Sequence, residues 1–263
     1  MKYLIVPDVH GRSFWKTSVY NFLKDDDVKI IFLGDYLDPY PDEWKTDDYQ
    51  TIAIDTFKEI LKLKRDNPSK IILLQGNHDM EYSISTRICD CRRDRERYDY
   101  IKQIFVENHQ LFQLCYETKI NDKRFIFSHA GINMTTIDIY DFKGVTDDNV
   151  VDYLNNAFSL MLDGEFPDEY TLAMYLGACS YYRGGYDMSS SCVWADLREF
   201  IYDKPKQIGY QIFGHTRAYK PIVTEEFAML DCSNCFMLND EGKLINIEGH
   251  EVPIMDIEKM REN

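Results

Sequence analysis

The sequence predicts an α/β fold whose first half carries a parallel sheet, and three observations predict it. Five short apolar runs each end in a small or glycine-containing turn bearing Asp, Asn or His. Stretches with helical spacing lie between the first three runs. The chain has 263 residues, 44% of them hydrophobic, enough for a substantial core. It reads as one domain over 1–263 with two excursions, at 81–113 and 140–205.

The run from Ile30 to Leu33 is the organising element, because it is followed at once by Gly34 and Asp35. A segment this short and this rich in isoleucine reads as a fully buried strand. Gly34 lets the backbone turn tightly, so Asp35 projects from the carboxyl end of the strand, where open α/β sheets place their ligands. The same grammar recurs elsewhere. Tyr3 to Val6 leads into Asp8-Val9-His10-Gly11, and Ile71 to Leu74 leads into Gly76-Asn77-His78-Asp79. Phe125 to Phe127 leads into Ser128-His129-Ala130-Gly131, and Tyr210 to Phe213 into Gly214-His215-Thr216.

Residues 12–24 and 46–65 have helical spacing, and the second stretch stops before Asn67-Pro68. With strands on either side, these helices make a βαβαβ unit with parallel pairing and right-handed crossovers. In the first excursion, Arg87, Arg92, Arg93, Arg95 and Arg97 alternate with Asp90, Asp94 and Glu96, which reads as a solvated helical face ahead of a helix containing Ile101, Ile104 and Phe105. The second has helical pattern over Val150 to Leu162 and Tyr170 to Leu176, then a lid-like loop with Arg183-Gly184-Gly185 and Ser189-Ser190-Ser191 before Trp194. After Thr216 the pattern is of short strands at Phe227 to Leu230, Cys235 to Leu238 and Leu244 to Ile247, an antiparallel, hairpin-like ending.

A formal charge of −15 argues against nucleic-acid binding, which needs clustered Lys and Arg. No run approaches a membrane span and no signal peptide is recognisable, so the expected location is the cytoplasm. Seven cysteines then read as free thiols rather than a disulfide framework. The pairs Cys232 with Cys235 and Cys89 with Cys91 lack the second pair that a structural zinc site needs. His109 and His250 read as ordinary surface or core histidines.

Asp8 and His10 stand two apart, so in an extended segment both face one way and can share one ion. Asp35 can bridge two ions with its two oxygens, and Asn77, His129 and His215 offer neutral donors for the second. A mixed Asp, His and Asn set suits two divalent cations, manganese first, with iron or zinc as alternatives.

These five motifs, spanning residues 8–216 in order, resemble those of the calcineurin-like metallophosphoesterases, most closely the phosphoprotein-phosphatase-like (serine/threonine) branch. Val193-Trp194-Ala195-Asp196 and Leu230-Asp231-Cys232-Ser233 are similar to that branch too. The resemblance implies a four-layer αββα sandwich with an excursion over the site. It implies that Asp8, His10 and Asp35 hold one ion and that Asp35, Asn77, His129 and His215 hold the other. It further implies that His78 is the general acid, with Asp79 orienting its imidazole. The implied activity is hydrolysis of phosphate monoesters, of a phosphoprotein or a small ester, by a hydroxide shared between the cations. Cleavage of diesters or dinucleoside polyphosphates is the alternative, and an inactive scaffold of the same fold ranks below both.

The chain departs from the branch at Pro39-Tyr40, where the family pattern has Arg-Gly, so one phosphate-gripping guanidinium is missing from its usual place. Arg183, beside two glycines, is the first candidate to replace it; Arg12 and Arg198 are the others. Arg217, where many metallophosphoesterases carry a further histidine, favours the phosphatase branch over the phosphodiesterase branch.

Overall fold

The computed structural model describes residues 1–84 and 91–262. The chain runs β1 (Lys2–Val6), α1 (Lys16–Phe22), β2 (Val28–Phe32), α2 (Tyr49–Asp66), β3 (Ile71–Leu74), α3 (Asn77–Ser83), α4 (Tyr98–Asn108) and β4 (Phe112–Gln113). It continues through β5 (Cys115–Ile120), β6 (Lys123–Ser128), α5 (Met134–Ile139), α6 (Val150–Leu162), α7 (Glu169–Leu176) and β7 (Tyr210–Phe213). It closes with β8 (Ile222–Val223), β9 (Phe227–Met229), β10 (Phe236–Leu238), β11 (Leu244–Asn246) and α8 (Ile257–Arg261).

Two sheets form, one in the order β11-β10-β1-β2-β3-β4, the other β5-β6-β7-β9-β8. The pairings β1 with β2, β2 with β3 and β3 with β4 are parallel, as the βαβαβ pattern predicts. The period of two along each strand assigns its faces. On β1 and β2, Tyr3, Ile5 and Ile31 pack with Phe125, Phe127 and Ile212 of the other sheet. Their neighbours Leu4, Val6, Ile30 and Phe32 pack instead against Val19 of α1, Phe57 and Leu61 of α2 and Phe105 of α4. The outer face of the second sheet carries Ile126 against Leu154, Phe158 and Leu172 of α6 and α7. Helices therefore cover both outer faces, giving the four-layer αββα arrangement.

Two expectations need correction. The chain's ending is not one antiparallel unit: β10 and β11 join the first sheet antiparallel to β1, whereas β9 lies parallel to β7 in the second. With three residues in each of these strands, side-chain alternation is too short a signal to show which sheet they enter. Residues 91–97 are not a solvated helical face either, because α4 begins only at Tyr98. Asp94 is buried and accepts the amides of Glu96 and Arg97, while Arg93 pairs with Glu81 at 2.6 Å. Arg87, Cys89 and Asp90 lie outside the described residues. The six described cysteines are all free thiols.

Candidate functional site

Each apolar strand stops where the chain turns sharply into a polar side chain, and parallel alignment brings those turns to one edge. Several of the turn residues are non-glycines in the left-handed region: His10 at φ 44°, Asp35 at 51°, Asp38 at 57° and His215 at 65°. Backbone strain of this kind, of order 1–3 kcal/mol per residue, persists only where surrounding contacts fix it, and it clusters at functional sites. Gly34, at φ 109°, permits the turn that the sequence predicts. Asp79 then ties two strand ends together, its carboxylate accepting the amides of Asp35 (2.8 Å), Tyr36 (3.1 Å) and Gly76 (2.8 Å).

The polar side chains so presented converge. Asp35 Oδ2 lies 3.4 Å from His10 Nε2 and 3.5 Å from His129 Nε2. His129 Nε2 also lies 3.0 Å from Asn77 Oδ1 and 3.1 Å from His215 Nδ1. Ligand atoms of His10, Asp35 and His78 stand within 4.8 Å of one another, as do those of Asp35, His129 and His215. Asp8 belongs to neither trio. Its carboxylate accepts the His215 amide at 2.9 and 3.1 Å, and its Oδ1 is 4.0 Å from His129 Nε2, at the margin of the cradle. The left-handed turn at His10 breaks the alternation that would put Asp8 and His10 on one extended face.

The donor chemistry of this cluster fits cations. His129 Nδ1 faces the Leu33 carbonyl at 2.9 Å and His10 Nδ1 the Leu37 carbonyl at 2.8 Å. A carbonyl can only accept, so in each neutral ring Nδ1 carries the hydrogen and Nε2 presents a lone pair. The His129 lone pair looks at the oxygens of Asn77 and Asp35, an arrangement of acceptors facing an acceptor that a cation resolves. Spacings of 3.0–3.5 Å between these atoms suit neighbouring ligands each about 2.1 Å from a shared ion. His215 Nε2 is buried with no hydrogen-bond partner.

Electrostatics sort the imidazoles by role. Burial drives His10 down to about 3 against the pull of Asp35, and burial reinforced by Arg183 holds His215 well below its ordinary value; both rings are neutral donors at physiological pH. His78 goes the other way: burial disfavours its charge, but Asp35 and then Asp38 outweigh it and raise it to about 9. Burial works upward on Asp35 too, yet positive charge on the rings of His129, His78 and His10 outweighs it and brings the carboxyl to about 2; with His129 and His10 neutral, a bound cation would supply that charge instead. Asp8 is raised by burial, and burial with the charge of Asp8 pushes Asp231 to about 8.

The partner of His78 is a correction. The resemblance implies that Asp79 orients this imidazole, but its oxygens are occupied by the three backbone amides, and Asp38 Oδ2 sits on His78 Nδ1 at 2.9 Å instead. Asp38 is fully buried, and its Oδ1 accepts from Tyr82 Oη (2.6 Å) and the Asp94 amide (3.2 Å). The signal for it was present in the sequence, since Asp38 follows Asp35 in the same turn, but its partner Tyr82 is 44 positions away.

The three candidate arginines all lie near the cluster, differently engaged. Arg183 reaches the His215 carbonyl (3.1 Å) and Thr216 Oγ1 (2.9 Å), with Nε 2.8 Å from Asp196. Arg198 is half exposed and bound to Asp196 at 2.7 Å and to the Tyr182 carbonyl. Arg12 is held by Glu43 at 2.8 Å. Two further arginines, Arg92 and Arg217, stand close by over the ring of Tyr40.

Known proteins resemble this chain in sequence or in fold. Over 138 residues the chain is 28% identical to a probable serine/threonine-protein phosphatase of Encephalitozoon cuniculi, a stretch covering 49% of this chain and 26% of that relative. The chain thus matches about a quarter of the length of that protein. A cold-active protein-tyrosine phosphatase of a psychrophilic Shewanella superposes with a TM-score of 0.54 at 15% identity, over 94% of this chain and 80% of the other, a likeness of fold. A protein serine/threonine phosphatase from Saccharomyces cerevisiae gives a TM-score of 0.45 at 14% identity, over 97% of this chain and 82% of the other. The model of the family described as calcineurin-like phosphoesterase matches residues 1–219, most of the chain and every turn of the donor cluster, and the chain belongs to that family.

Proposed function

We propose that this chain is a phosphatase that depends on two divalent cations and hydrolyses phosphate monoesters, of a phosphoprotein or a small molecule. The observation that carries this reading is the convergence of Asp35, Asn77, His129, His215 and His10 on one cradle, with His78 and its carboxylate beside it. Asp35 would bridge the two ions; His10 and Asp8 would complete one, and Asn77, His129 and His215 the other. Manganese is the first candidate, with iron or zinc next, on the mixture of carboxylate, amide and imidazole donors. Bound divalent cations would acidify a coordinated water and take up charge on the phosphoryl oxygens.

The chain's own groups supply the rest. His78, whose Nδ1 is held by the buried Asp38 carboxylate at 2.9 Å, would give its proton to the departing ester oxygen. The Asp38 carboxylate on Nδ1 fixes the ring so that Nε2 points away from Asp38. Asp79 holds the turns that present Asp35 and Asn77, a positioning role. The sequence similarity to a probable serine/threonine-protein phosphatase supports the phosphatase reading. Among the described residues no helix is long and apolar enough to cross a membrane, and the acidic balance disfavours a nucleic-acid substrate.

The test is a panel of p-nitrophenyl phosphate, bis(p-nitrophenyl) phosphate and diadenosine tetraphosphate, assayed on protein reconstituted with manganese, iron or zinc. The monoester should turn over fastest. Much faster cleavage of the other two would establish a diesterase or dinucleoside polyphosphate hydrolase in its place, and metal-loaded protein inert on all three would revive the inactive scaffold.

A further inference from the structure

A phosphoryl group in transit carries charge on three equatorial oxygens, and a guanidinium fork suits two of them at once. Position 39, next to Asp38, is proline, so the turn after β2 cannot offer one. Three guanidiniums nevertheless gather over the following residue. The Cζ atoms of Arg92, Arg217 and Arg12 lie 3.8, 4.7 and 5.4 Å from the centre of the Tyr40 ring. That ring stands edge-on to His10 at 5.0 Å, and His10 is edge-on to His78 at 5.1 Å, so the cluster borders the donor cradle.

The three are not equivalent. Arg12 is spent: Nε and Nη2 go to Glu43 and Nη1 to the Asp8 carbonyl, with its side chain only 11% exposed. Arg217 pairs with the same Glu43 and is half exposed. Arg92 donates Nε and Nη2 to the carbonyl oxygen of Asp38, at 3.1 and 2.7 Å, and among the described residues no carboxylate pairs with it. A guanidinium laid at 3.8 Å on an aromatic face and tethered by a carbonyl is held in place, and no carboxylate of the described residues answers its charge. Its anchor, the Asp38 carbonyl, belongs to the residue whose carboxylate holds His78. Arg183, by contrast, has its charge met by Asp196.

We propose that Arg92 is the guanidinium that receives the substrate's phosphoryl group, positioned by the face of Tyr40, and that it selects dianionic phosphate monoesters over monoanionic diesters. This rests on the proposed hydrolase reading. Arg92, unpaired among the described residues, beside Arg12 and Arg217 that share the single carboxylate of Glu43, offers more positive charge than a diester can use, and the second negative charge of a monoester takes it up. Arg92 supplies a fork where the proline leaves none, and Tyr40, stacked on it at 3.8 Å, is what holds the fork there.

The test uses the full chain loaded with metal and compares wild type with Arg92→Ala, Arg92→Lys, Tyr40→Leu, Tyr40→Phe and, as a control in the same segment, Arg97→Ala. The dissociation constant for inorganic phosphate is measured by calorimetry alongside kcat/KM on the mono- and bis-p-nitrophenyl esters and metal content. Arg92→Ala should keep its metal, weaken phosphate at least tenfold and lower monoester kcat/KM by about 10²- to 10³-fold, with a smaller loss on the diester. Arg92→Lys should recover part of this, being a point charge without the fork. Tyr40→Leu should weaken phosphate and Tyr40→Phe restore it, while Arg97→Ala behaves as wild type. An active wild type whose phosphate affinity and ester preference survive Arg92→Ala overturns the assignment and leaves the hydrolase reading standing. Metal-loaded wild type that neither binds phosphate nor cleaves an ester overturns both. Should Arg92→Ala lose metal or melt early, Arg92→Lys decides: undiminished phosphate affinity and ester preference there overturn the fork.

Discussion

Replacing Asp38 with asparagine changes one charge and almost no volume, and its consequence can be worked out from the contacts. His78 rises from 6.5 to about 9, which at about 1.36 kcal/mol per unit is a folded-state preference for the imidazolium of about 3 kcal/mol, shared between Asp35 and Asp38. Because the folded value lies above the unfolded one, this stabilisation is fully present below pH 6.5 and is lost between 6.5 and about 9. In Asp38→Asn the amide cannot orient freely. The Asp94 amide and Tyr82 hydroxyl both donate to Oδ1, so the new carbonyl oxygen must stay there, leaving the NH₂ against His78 Nδ1. That nitrogen must then accept, which forces the ring neutral. The variant should therefore lose up to about 3 kcal/mol at pH 6 and almost nothing at pH 9.5. Urea unfolding of chelator-treated protein at both pH values reads this out, and an NMR titration of His78 reads it directly. A variant whose stability falls with pH as steeply as that of the wild type would refute the pairing.

Asp35→Asn should bind neither ion, because one oxygen faces both His10 and His129; mass-spectrometric metal analysis showing two retained ions would contradict the bridging role. His78→Asn should keep its metals and slow turnover of an alkyl phosphate by about 10²- to 10⁴-fold, and unchanged turnover of that poor leaving group would remove its role as an acid. Gly76→Ala would place a methyl 2.2 Å from Asp35 Oδ1 and 2.6 Å from its backbone nitrogen, so the two strand ends must part. It should cost about 1–3 kcal/mol and lower metal affinity, and a melting temperature and metal content equal to the wild type would show that the close approach is not needed.

The layout of the fold is legible in the sequence wherever periodicity has length to work with. Val150–Leu162 is helical over the span its pattern predicts, and the parallel order of β1, β2 and β3 follows from the helices between them. It fails where elements are short or half buried. Cys115–Ile120 alternates too weakly to stand out as a strand, and β4 has only two residues. The arginines of 91–97 look like a charged surface because the sequence cannot show that Tyr40, Glu81 and Asp38 wait opposite them.

For the site, the division falls between donors and what aims them. A strand that ends in a buried turn announces its polar residue locally, so Asp35, Asn77, His129 and His215 are visible one at a time, and parallel alignment then brings them together. The groups that orient them come from other strand ends or from distant helices: the Leu33 carbonyl fixes His129, Leu37 fixes His10, and Asp38 rather than the adjacent Asp79 fixes His78. The resemblance implies Asp79 for this role, but residue 79 lies in the first turn of α3, where its carboxylate meets the amides of Gly76, Asp35 and Tyr36. A first-turn acid at the amino end of a helix is drawn to unpaired amides before it is drawn to a neighbouring ring. Asp38, fully buried, with a left-handed backbone and no helix amides to answer, is the carboxylate left to hold His78.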